Sequence, residues 1–343
     1  MRVISKDRLI ASCVGGLALV ASAVCAGAPA ALAEGPPAGP ATARPMSELK
    51  VTATIPIAKR TDWIRITPTS VWVASKGPFA VNEIDPKTNR VVTVPLPGDP
   101  CAGLGSDADD LWVPLCGPTP KLAKVDLRTR TLSAVFDVGP AAKEGGIAVG
   151  AGSVWMMVDA QGSLARIDPV TGSVVGTVHL PPGSYNPVFS EGRVWVTRAD
   201  GSELTVVDAR TAKVVGHIPT GQHPRFLTAG GGAVWTLNQG DGSLSRIDVA
   251  GRRPVDTVQL QTPGPGGDIA YADGLVWTTM MKTPLTAVDA ARSVILCQWK
   301  GAGGDAVGVG HGAVWLTDLS AGTVLRIALS DFPKECRPAA HRP

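Results

Sequence analysis

Short apolar runs separated by turn residues repeat along this chain with a period close to forty residues. The segment from Gly221 to Leu260 contains four such runs, and glycine or polar residues stand between them. Runs this short, bounded by turn residues, indicate β-strands rather than helices. Four strands in about forty residues, repeated along a chain, are typical of the blades of a β-propeller.

Two anchors hold this repeat in register. The first is a Trp preceded by Val or Leu, spaced by 38 to 43 residues: Trp72, Trp112, Trp155, Trp195, Trp235, Trp277 and Trp315. The second is an Asp that follows each of the first six by 12 to 14 residues: Asp85, Asp126, Asp168, Asp208, Asp248 and Asp289. Only the seventh unit departs, with Ala328 in place of Asp. Seven units predict seven blades.

The anchors have structural explanations. A Trp at one repeat position is suited to filling the space between twisted blades, so we interpret all seven as core. The Asp residues follow strands, where a carboxylate accepts hydrogen bonds from the backbone two residues on, so we interpret them as turn residues. The Gly clusters supply positive φ between first and second strands, and none precedes a helix as a phosphate loop does.

Residues 49–57 resemble a fourth strand with no first three before them, and the last unit has only three strands. We therefore predict an all-β fold, a single seven-bladed propeller of four-stranded antiparallel blades over residues 49–328. The N-terminal strand closes the last blade, which removes the open sheet edge. Residues 34–48 form a Pro/Ala/Gly-rich linker, and residues 329–343 form a C-terminal tail.

The first 33 residues have the pattern of a signal peptide. Arg2, Lys6 and Arg8 precede an apolar stretch that is short for a membrane span, and a small-residue cleavage site ends at Ala33. A lipoprotein would be anchored through Cys25, but the bulky Val24 before it argues against this. We predict a secreted protein without a transmembrane segment, and a monomer.

Cysteine placement agrees with export. Cys101 and Cys116 flank a turn symmetrically, and Cys297 in a fourth strand can tie down the tail through Cys336. Two disulfides are predicted, with four buried thiols as the alternative. Zinc-site spacing is absent. Removing residues 1–33 leaves 29 Lys and Arg against 28 Asp and Glu, so a nucleic-acid partner is not expected.

Ligands of propellers are expected at the axial funnel where first strands begin. Most repeats carry small or apolar residues there, and the polar exceptions come from nearby blades: Arg198, Arg225, Asn238, Asp305 and Asp318. They form our candidate ligand site, with an ordinary solvated rim as the alternative. Asp268, Asp305 and Asp318 are the candidate ligands of a Ca²⁺ or Mg²⁺ ion. No other cofactor is indicated.

Units such as TGQHPRFLTAGGGAVWTLNQGDGSLSRID resemble the YVTN-type repeats of secreted bacterial propellers and the repeats of the virginiamycin B lyase family. The resemblance covers about residues 49–328 and lies in the scaffold motif. It implies a seven-bladed propeller and, for the lyase, a Mg²⁺-dependent elimination. The lyase motif has a His after Pro at a first-strand entrance and a Glu three residues past the repeat Trp.

At those two positions this chain has Arg225 and Asn238 in the fifth blade, and Asp305 and Asp318 in the seventh. The catalytic His is missing from both, and only Asp318 keeps an acid. We therefore predict a binding module for a protein, peptide or small-molecule ligand. A metal-dependent lyase or lactonase is the alternative, so the sequence leaves open whether the protein is an enzyme. An extracytoplasmic assembly or redox-partner scaffold is a third possibility.

Overall fold

Antiparallel sheets make up the regular structure of a closed ring. A computed structural model describes residues 43–281, 283–301 and 303–337 of the chain. Within these residues the strands join in chain order into seven sheets, each antiparallel from its first to its fourth strand. The all-β, seven-bladed propeller predicted from the repeat is confirmed. The signal segment and most of the linker lie outside the described residues.

Each blade runs from a first strand at the axis to a fourth strand at the outside. The strands of blade 1 are Asp62–Ile66, Val71–Lys76, Phe79–Ile84 and Val91–Pro95. Blade 2 has a divided first strand, and its segments are Asp99–Pro100, Gly105–Ser106, Asp110–Cys116, Lys121–Asp126 and Thr131–Phe136. The strands of blade 3 are Ile147–Gly150, Ser153–Met157, Ser163–Ile167 and Val174–His179.

The remaining blades repeat this order. The strands of blade 4 are Ser184–Ser190, Arg193–Arg198, Glu203–Asp208 and Lys213–Pro219. The strands of blade 5 are Pro224–Gly230, Ala233–Asn238, Ser243–Asp248 and Arg253–Gln259. The strands of blade 6 are Asp268–Ala272, Leu275–Met280, Thr283–Asp289 and Val294–Lys300. Blade 7 contains Val307–Gly310, Ala313–Asp318 and Thr323–Ala328.

The N-terminal strand supplies the fourth strand of blade 7. Ala53–Pro56 pairs antiparallel with Thr323–Ala328, and Ile55 lies opposite Val324. This is the closure predicted from the sequence. Blade 7 therefore contains strands from both ends of the domain. This pairing closes the ring, so Thr323–Ala328 is not left as an open sheet edge.

Short elements flank the ring, within the described parts of the segments predicted as linker and tail. Arg44–Pro45 adds a short parallel strand to the outer edge of blade 6, and a 3-10 helix, Met46–Glu48, follows it. Two further 3-10 helices, Leu329–Asp331 and Lys334–Cys336, follow the last strand. Two or three residues are too few to show a hydrophobic period, so the sequence did not indicate these elements.

The repeat Trp residues join adjacent blades. All seven have 0% of their surface exposed. Trp112 of blade 2 packs in one cluster with Val154 and Ile167 of blade 3, and Trp315 of blade 7 packs with Val71 of blade 1. The ring is therefore held by apolar contacts between neighbouring blades, as the core interpretation of the Trp repeat required.

The repeat Asp residues act as turn residues, as predicted. Asp168 Oδ1, for example, accepts the backbone N–H groups of Val170 and Thr171 at 2.9 and 2.8 Å. Equivalent bonds from the following turn occur at the other five positions: Asp85, Asp126, Asp208, Asp248 and Asp289. These carboxylates are occupied by hydrogen bonds that stabilise local turns, so we do not consider them candidates for ligand binding or catalysis.

Both predicted disulfides are present. Cys101 is bonded to Cys116 within blade 2, and Cys297 of blade 6 is bonded to Cys336. The second bond holds Phe332 against Trp277 and Trp299, with ring centroids 5.1 and 5.4 Å away. None of the helices in the described part of the chain is long and apolar enough to cross a membrane.

Candidate ligand-binding site

The first strands of the seven blades surround the axis and all begin at the same end of the ring. At that end lies a small recess of about 40 Å³, which we call the axial recess. Its lining comes from blades 1, 5, 6 and 7 and from the loop before blade 3: Asp62, Trp63, Glu144, Phe226, Gly266, Gly267, Asp268, Asp305 and Ala306. The volume is enough for an ammonium group or a few waters.

Trp63 and Phe226 form the floor of this recess. Their ring centroids lie 6.1 Å apart with the planes tilted by 57°, and each residue is only 7% exposed. Trp63 has a positive φ of 51° at an irregularity in the strand pairing, and Asp62 Oδ1 accepts its backbone N–H at 2.8 Å. The buried indole Nε1 of Trp63 has no hydrogen-bond partner among the described residues.

Asp268 begins the first strand of blade 6, and Asp305 lies just before the first strand of blade 7. The carboxylate of Asp268 accepts the N–H of Ile269 at 2.8 Å and that of Val307 at 3.3 Å, so it links the two blades. Thr279 also joins them, because its hydroxyl accepts the N–H of Asp268 and donates to the carbonyl oxygen of Asp305. The carboxylate of Asp268 and the backbone of Asp305 are thus held by contacts between neighbouring blades.

Burial shifts the protonation of these carboxyl groups. Desolvation, reinforced by the charge of Asp305, raises the pKa of Asp62 to about 6. Desolvation also raises the pKa of Asp268 to about 7, although two backbone N–H groups oppose the change. The pKa of Asp305 is raised by burial and by Glu144, and Lys76 opposes this. Like charges gathered in a poorly solvated place favour the protonated form.

A second polar cluster borders the recess. Arg225 Nη2 donates to Glu144 Oε2 at 2.9 Å and to the Tyr185 hydroxyl at 2.8 Å. The guanidinium carbon lies 4.5 Å from the centre of the Tyr185 ring, a cation–π distance. The Tyr185 hydroxyl in turn donates to the Lys143 carbonyl oxygen. The loop before blade 3 and the first strands of blades 4 and 5 are thereby connected at the rim.

Of the five predicted ligand-binding residues, only Asp305 lines the recess and only Arg225 borders it. Arg198 is paired within its own blade with Asp200 and Glu203. Asn238 is fully buried, and its amide nitrogen donates to Ser243 and Ser245 at 2.9 Å each. Its role is therefore inside the blade.

Asp318 accepts hydrogen bonds from Ser320 and Ala321 in the turn after its strand. Burial acts to raise its pKa, but these bonds outweigh that effect and lower it. Asp318 is thus committed to its turn, as the repeat Asp residues are.

Asp268, Asp305 and Asp318 do not make a ready three-carboxylate metal site. In the described ranges, the only His, Cys, Asp and Glu side chains that gather three ligand atoms within 4.8 Å are Cys297, Glu335 and Cys336. Two of those are the disulfide cysteines, which cannot act as thiolate ligands. The chemistry of the recess is therefore that of grouped carboxyls beside aromatic rings.

Glu144 is the residue that the sequence did not identify. It lies in the loop before blade 3, where its N–H donates to the Cys101 carbonyl oxygen at 2.7 Å. A signal was present, because the step from Trp112 to Trp155 is the longest of the six. The extra residues lengthen this loop enough to reach the axis, and the disulfide at Cys101 anchors the segment that holds it.

Comparison with known proteins supports the architecture and nothing finer. No family model matches the chain, and no curated protein matches it. Among solved structures, BamB from Moraxella catarrhalis is similar, with a TM-score of 0.58, 13% sequence identity and coverage of 81% of this chain and 97% of that one. At that identity the likeness concerns the fold alone: this chain is of the β-propeller class.

Proposed function

We propose that this protein is an exported β-propeller that acts as a binding module, and that it holds a cationic group of a protein or peptide ligand at the axial recess. The observation that carries the proposal is the convergence of carboxyl groups from four places in the chain on one recess beside the axis: Asp62, Glu144, Asp268 and Asp305. Lys76 and Arg225 are the nearby cations, and Arg225 is already paired.

The recess is too small for a whole ligand but suits the end of one. An ammonium group within hydrogen-bonding distance of several carboxylates is favoured, and its arrival lowers their pKa values again. A peptide also brings carbonyl oxygens, which can accept from the unpartnered indole N–H of Trp63. Tyr185 and Arg225 at the rim offer an aromatic and a guanidinium surface for the rest of the ligand.

Export is part of the proposal. Two disulfides in one chain are typical of proteins that fold in an oxidising compartment. The signal-peptide pattern of residues 1–33 agrees with this and belongs to the part of the chain outside the described residues. Cleavage after Ala33 leaves a protein free of the membrane, whereas anchoring through Cys25 is the alternative that mass spectrometry of the exported protein distinguishes.

The scaffold resemblance to YVTN-type and virginiamycin B lyase propellers keeps a metal-dependent lyase or lactonase as the second candidate. The residues do not fit it well, because the His of the lyase motif is replaced and Asp318 is bound in a turn. Ca²⁺ and Mg²⁺ are included in the binding experiment, where a metal-dependent rise in melting temperature, lost in Asp305→Asn, would favour this candidate.

The test is calorimetric titration of the mature protein with a hexapeptide of alternating Lys and Gly and with its Glu and Gly counterpart. We expect the basic peptide to bind and the acidic one not to bind. Asp305→Asn should weaken binding about threefold to tenfold, whereas Arg198→Gln, in a locally paired rim position, should leave it unchanged. Equal binding of both peptides, or no loss in Asp305→Asn, would contradict the proposal.

A further inference from the structure

Beneath the floor formed by Trp63 and Phe226 lies a second and larger cavity, which we call the central chamber. It has a volume of about 450 Å³ and is lined by the first strands, or the residues just before them, of all seven blades. This size is within the range of small-molecule sites in proteins. The chamber is distinct from the axial recess, although Trp63, Phe226 and Asp268 contribute to the walls of both.

The wall of the chamber is made mainly of sheet edges. First-strand side chains pack sideways against glycines of the neighbouring blade. Ile64 packs on Gly308, where an added Cβ would lie only 2.5 Å from the Ile64 side chain, and Tyr271 packs on Gly230. The first strand is the inner edge of its blade, so peptide groups without a ladder partner face the axis. Such a wall offers hydrogen bonds to a polar ligand but carries little charge of its own.

Two charged side chains line the chamber, Arg65 and Asp268. Arg65 donates from Nε to the Ser106 hydroxyl at 2.9 Å and from Nη2 to the Ser106 carbonyl oxygen at 3.5 Å. Within the described part of the chain no carboxylate lies within 4.0 Å of its guanidinium. Burial lowers the pKa of Arg65, which is the expected effect of desolvation on a cation. Several of its N–H donors are therefore unused.

Asp268 does not neutralise this cation. Its two carboxylate oxygens accept the N–H groups of Ile269 and Val307, and burial raises its pKa to about 7. Arg225, by contrast, is paired with Glu144. The short first strand of blade 2, Gly105–Ser106, leaves the space beside blade 1 into which Arg65 extends.

We propose that the central chamber binds a small organic anion through a carboxylate held by Arg65. A guanidinium receives a carboxylate through two parallel hydrogen bonds, and the low polarity around it strengthens the pair. Thr228 and Tyr271 line the same cavity and offer hydroxyls to the body of the ligand, while Val188, Leu227 and Ile269 offer apolar contact. A poorly solvated cation without a carboxylate partner is costly, so the ligand also stabilises the fold.

The ligand enters from the end of the ring opposite the axial recess. Trp63 and Phe226 are buried at the start of the first strands, whereas Ile66, Phe189 and Tyr271 near the other end are partly exposed. The inference therefore does not depend on the proposed function: a peptide at the recess and an anion in the chamber reach the axis from opposite faces.

The experiment measures the melting temperature of the mature protein with benzoate and succinate, with the neutral amides benzamide and succinamide, and with sodium sulfate at matched ionic strength. We expect at least one carboxylate to raise the melting temperature and its amide to have no effect. Calorimetry with that carboxylate should show a loss of affinity of about tenfold or more in Arg65→Gln, which keeps a donor for Ser106. Arg198→Gln, outside the chamber, should bind as the wild type does.

Several outcomes would overturn the inference: no carboxylate effect on the wild type, an equal effect of the amide, an equal effect of sulfate, or full binding by Arg65→Gln. The carboxylate and amide arms use the unaltered protein, so they decide the matter even if Arg65→Gln fails to fold. Where that variant does fold, it should be at least as stable as the wild type without ligand, because it removes a poorly solvated charge that has no carboxylate partner.

Discussion

Individual carboxyl groups at the axis make the stability of this protein depend on pH in an unusual direction. Most Asp residues in a folded protein have lowered pKa values and stabilise it as pH rises. Asp62 and Asp268 have raised values, about 6 and about 7. The folded protein therefore holds protons that the unfolded chain has already released, and stability falls as pH rises from about 4 to about 7.

Replacing Asp62 tests this directly. Asp62→Asn keeps an oxygen to accept the Trp63 N–H and removes the charge that Asp305 and Glu144 repel. We expect the variant to match the wild type near pH 4 and to exceed it at pH 8 by about 1–2 kcal/mol, a value reduced for partial solvent screening and the nearby Lys76. Urea unfolding at both pH values measures it.

Asp256→Asn, on an exposed outer strand, is the control and should change stability little at either pH. A lower stability of Asp62→Asn than of the wild type at pH 8 would show that the Asp62 charge is favourable in the folded state. A residual fall in stability up to pH 7 is expected in the variant, since Asp268 still titrates there.

A second prediction at this scale concerns the Trp repeat. Trp195 is fully buried and packs with Val234 and Ile247 of the next blade. Trp195→Ala removes a large side chain from between two sheets and should cost about 3–5 kcal/mol in the free energy of unfolding. Val175→Ala, at an exposed apolar position on an outer strand, should cost little. Comparable losses in the two variants would contradict the core role of the Trp.

At the scale of elements, the two disulfides have different tasks. Cys101–Cys116 closes 15 residues beside the segment that holds the loop of Glu144, and Cys297–Cys336 closes 39 residues and fixes the C-terminal segment. The chain-entropy relation gives about 3 and about 4 kcal/mol for such loops. We expect Cys297→Ser with Cys336→Ser to lower the melting temperature more.

Two further measurements distinguish the roles of the two disulfides. Loss of the 297–336 bond should expose the segment after residue 328 to protease, because Phe332 loses its anchor against Trp277 and Trp299. Loss of the 101–116 bond should weaken binding of the basic hexapeptide, because Glu144 is no longer held at the recess. If the 101–116 variant binds the peptide as the wild type does, Glu144 is positioned without the disulfide.

At the scale of the whole molecule, we expect closure of the ring by the N-terminal strand to be the main determinant of cooperative unfolding. Ile55 is 3% exposed on that strand, whereas Thr54 beside it is exposed. Ile55→Asp places a charge in the core of blade 7 and should release the strand, with a cost of several kcal/mol. Thr54→Asp is the matched control and should be tolerated.

Hydrogen exchange locates the effect. In Ile55→Asp we expect faster exchange in Thr323–Ala328, which loses its edge partner, and then in the first strands of blades 7 and 1. Unchanged protection of Thr323–Ala328 would mean that blade 7 is stable with three strands, which would contradict closure as the source of cooperativity.

Local and periodic features could be predicted from the amino-acid sequence alone. Strand alternation, the Trp at one position per blade and the Asp in each turn act within one blade or between adjacent blades, so their spacing predicted the number of blades, the closure and the turns. Both disulfides were also predictable, because the partners of each lie at mirrored or terminal positions of the repeat.

The composition of the axial sites depended on the tertiary structure. Arg225 and Asn238 lie at the same end of blade 5, on its first and second strands, yet Asn238 is buried within the blade and Arg225 reaches Glu144 in the loop before blade 3. Glu144 and the unpaired Arg65 become functional candidates only when seven first strands meet at one axis, because their neighbours come from distant parts of the chain. Periodicity determines how each blade is built, whereas closure of the ring decides which side chains share a poorly solvated space.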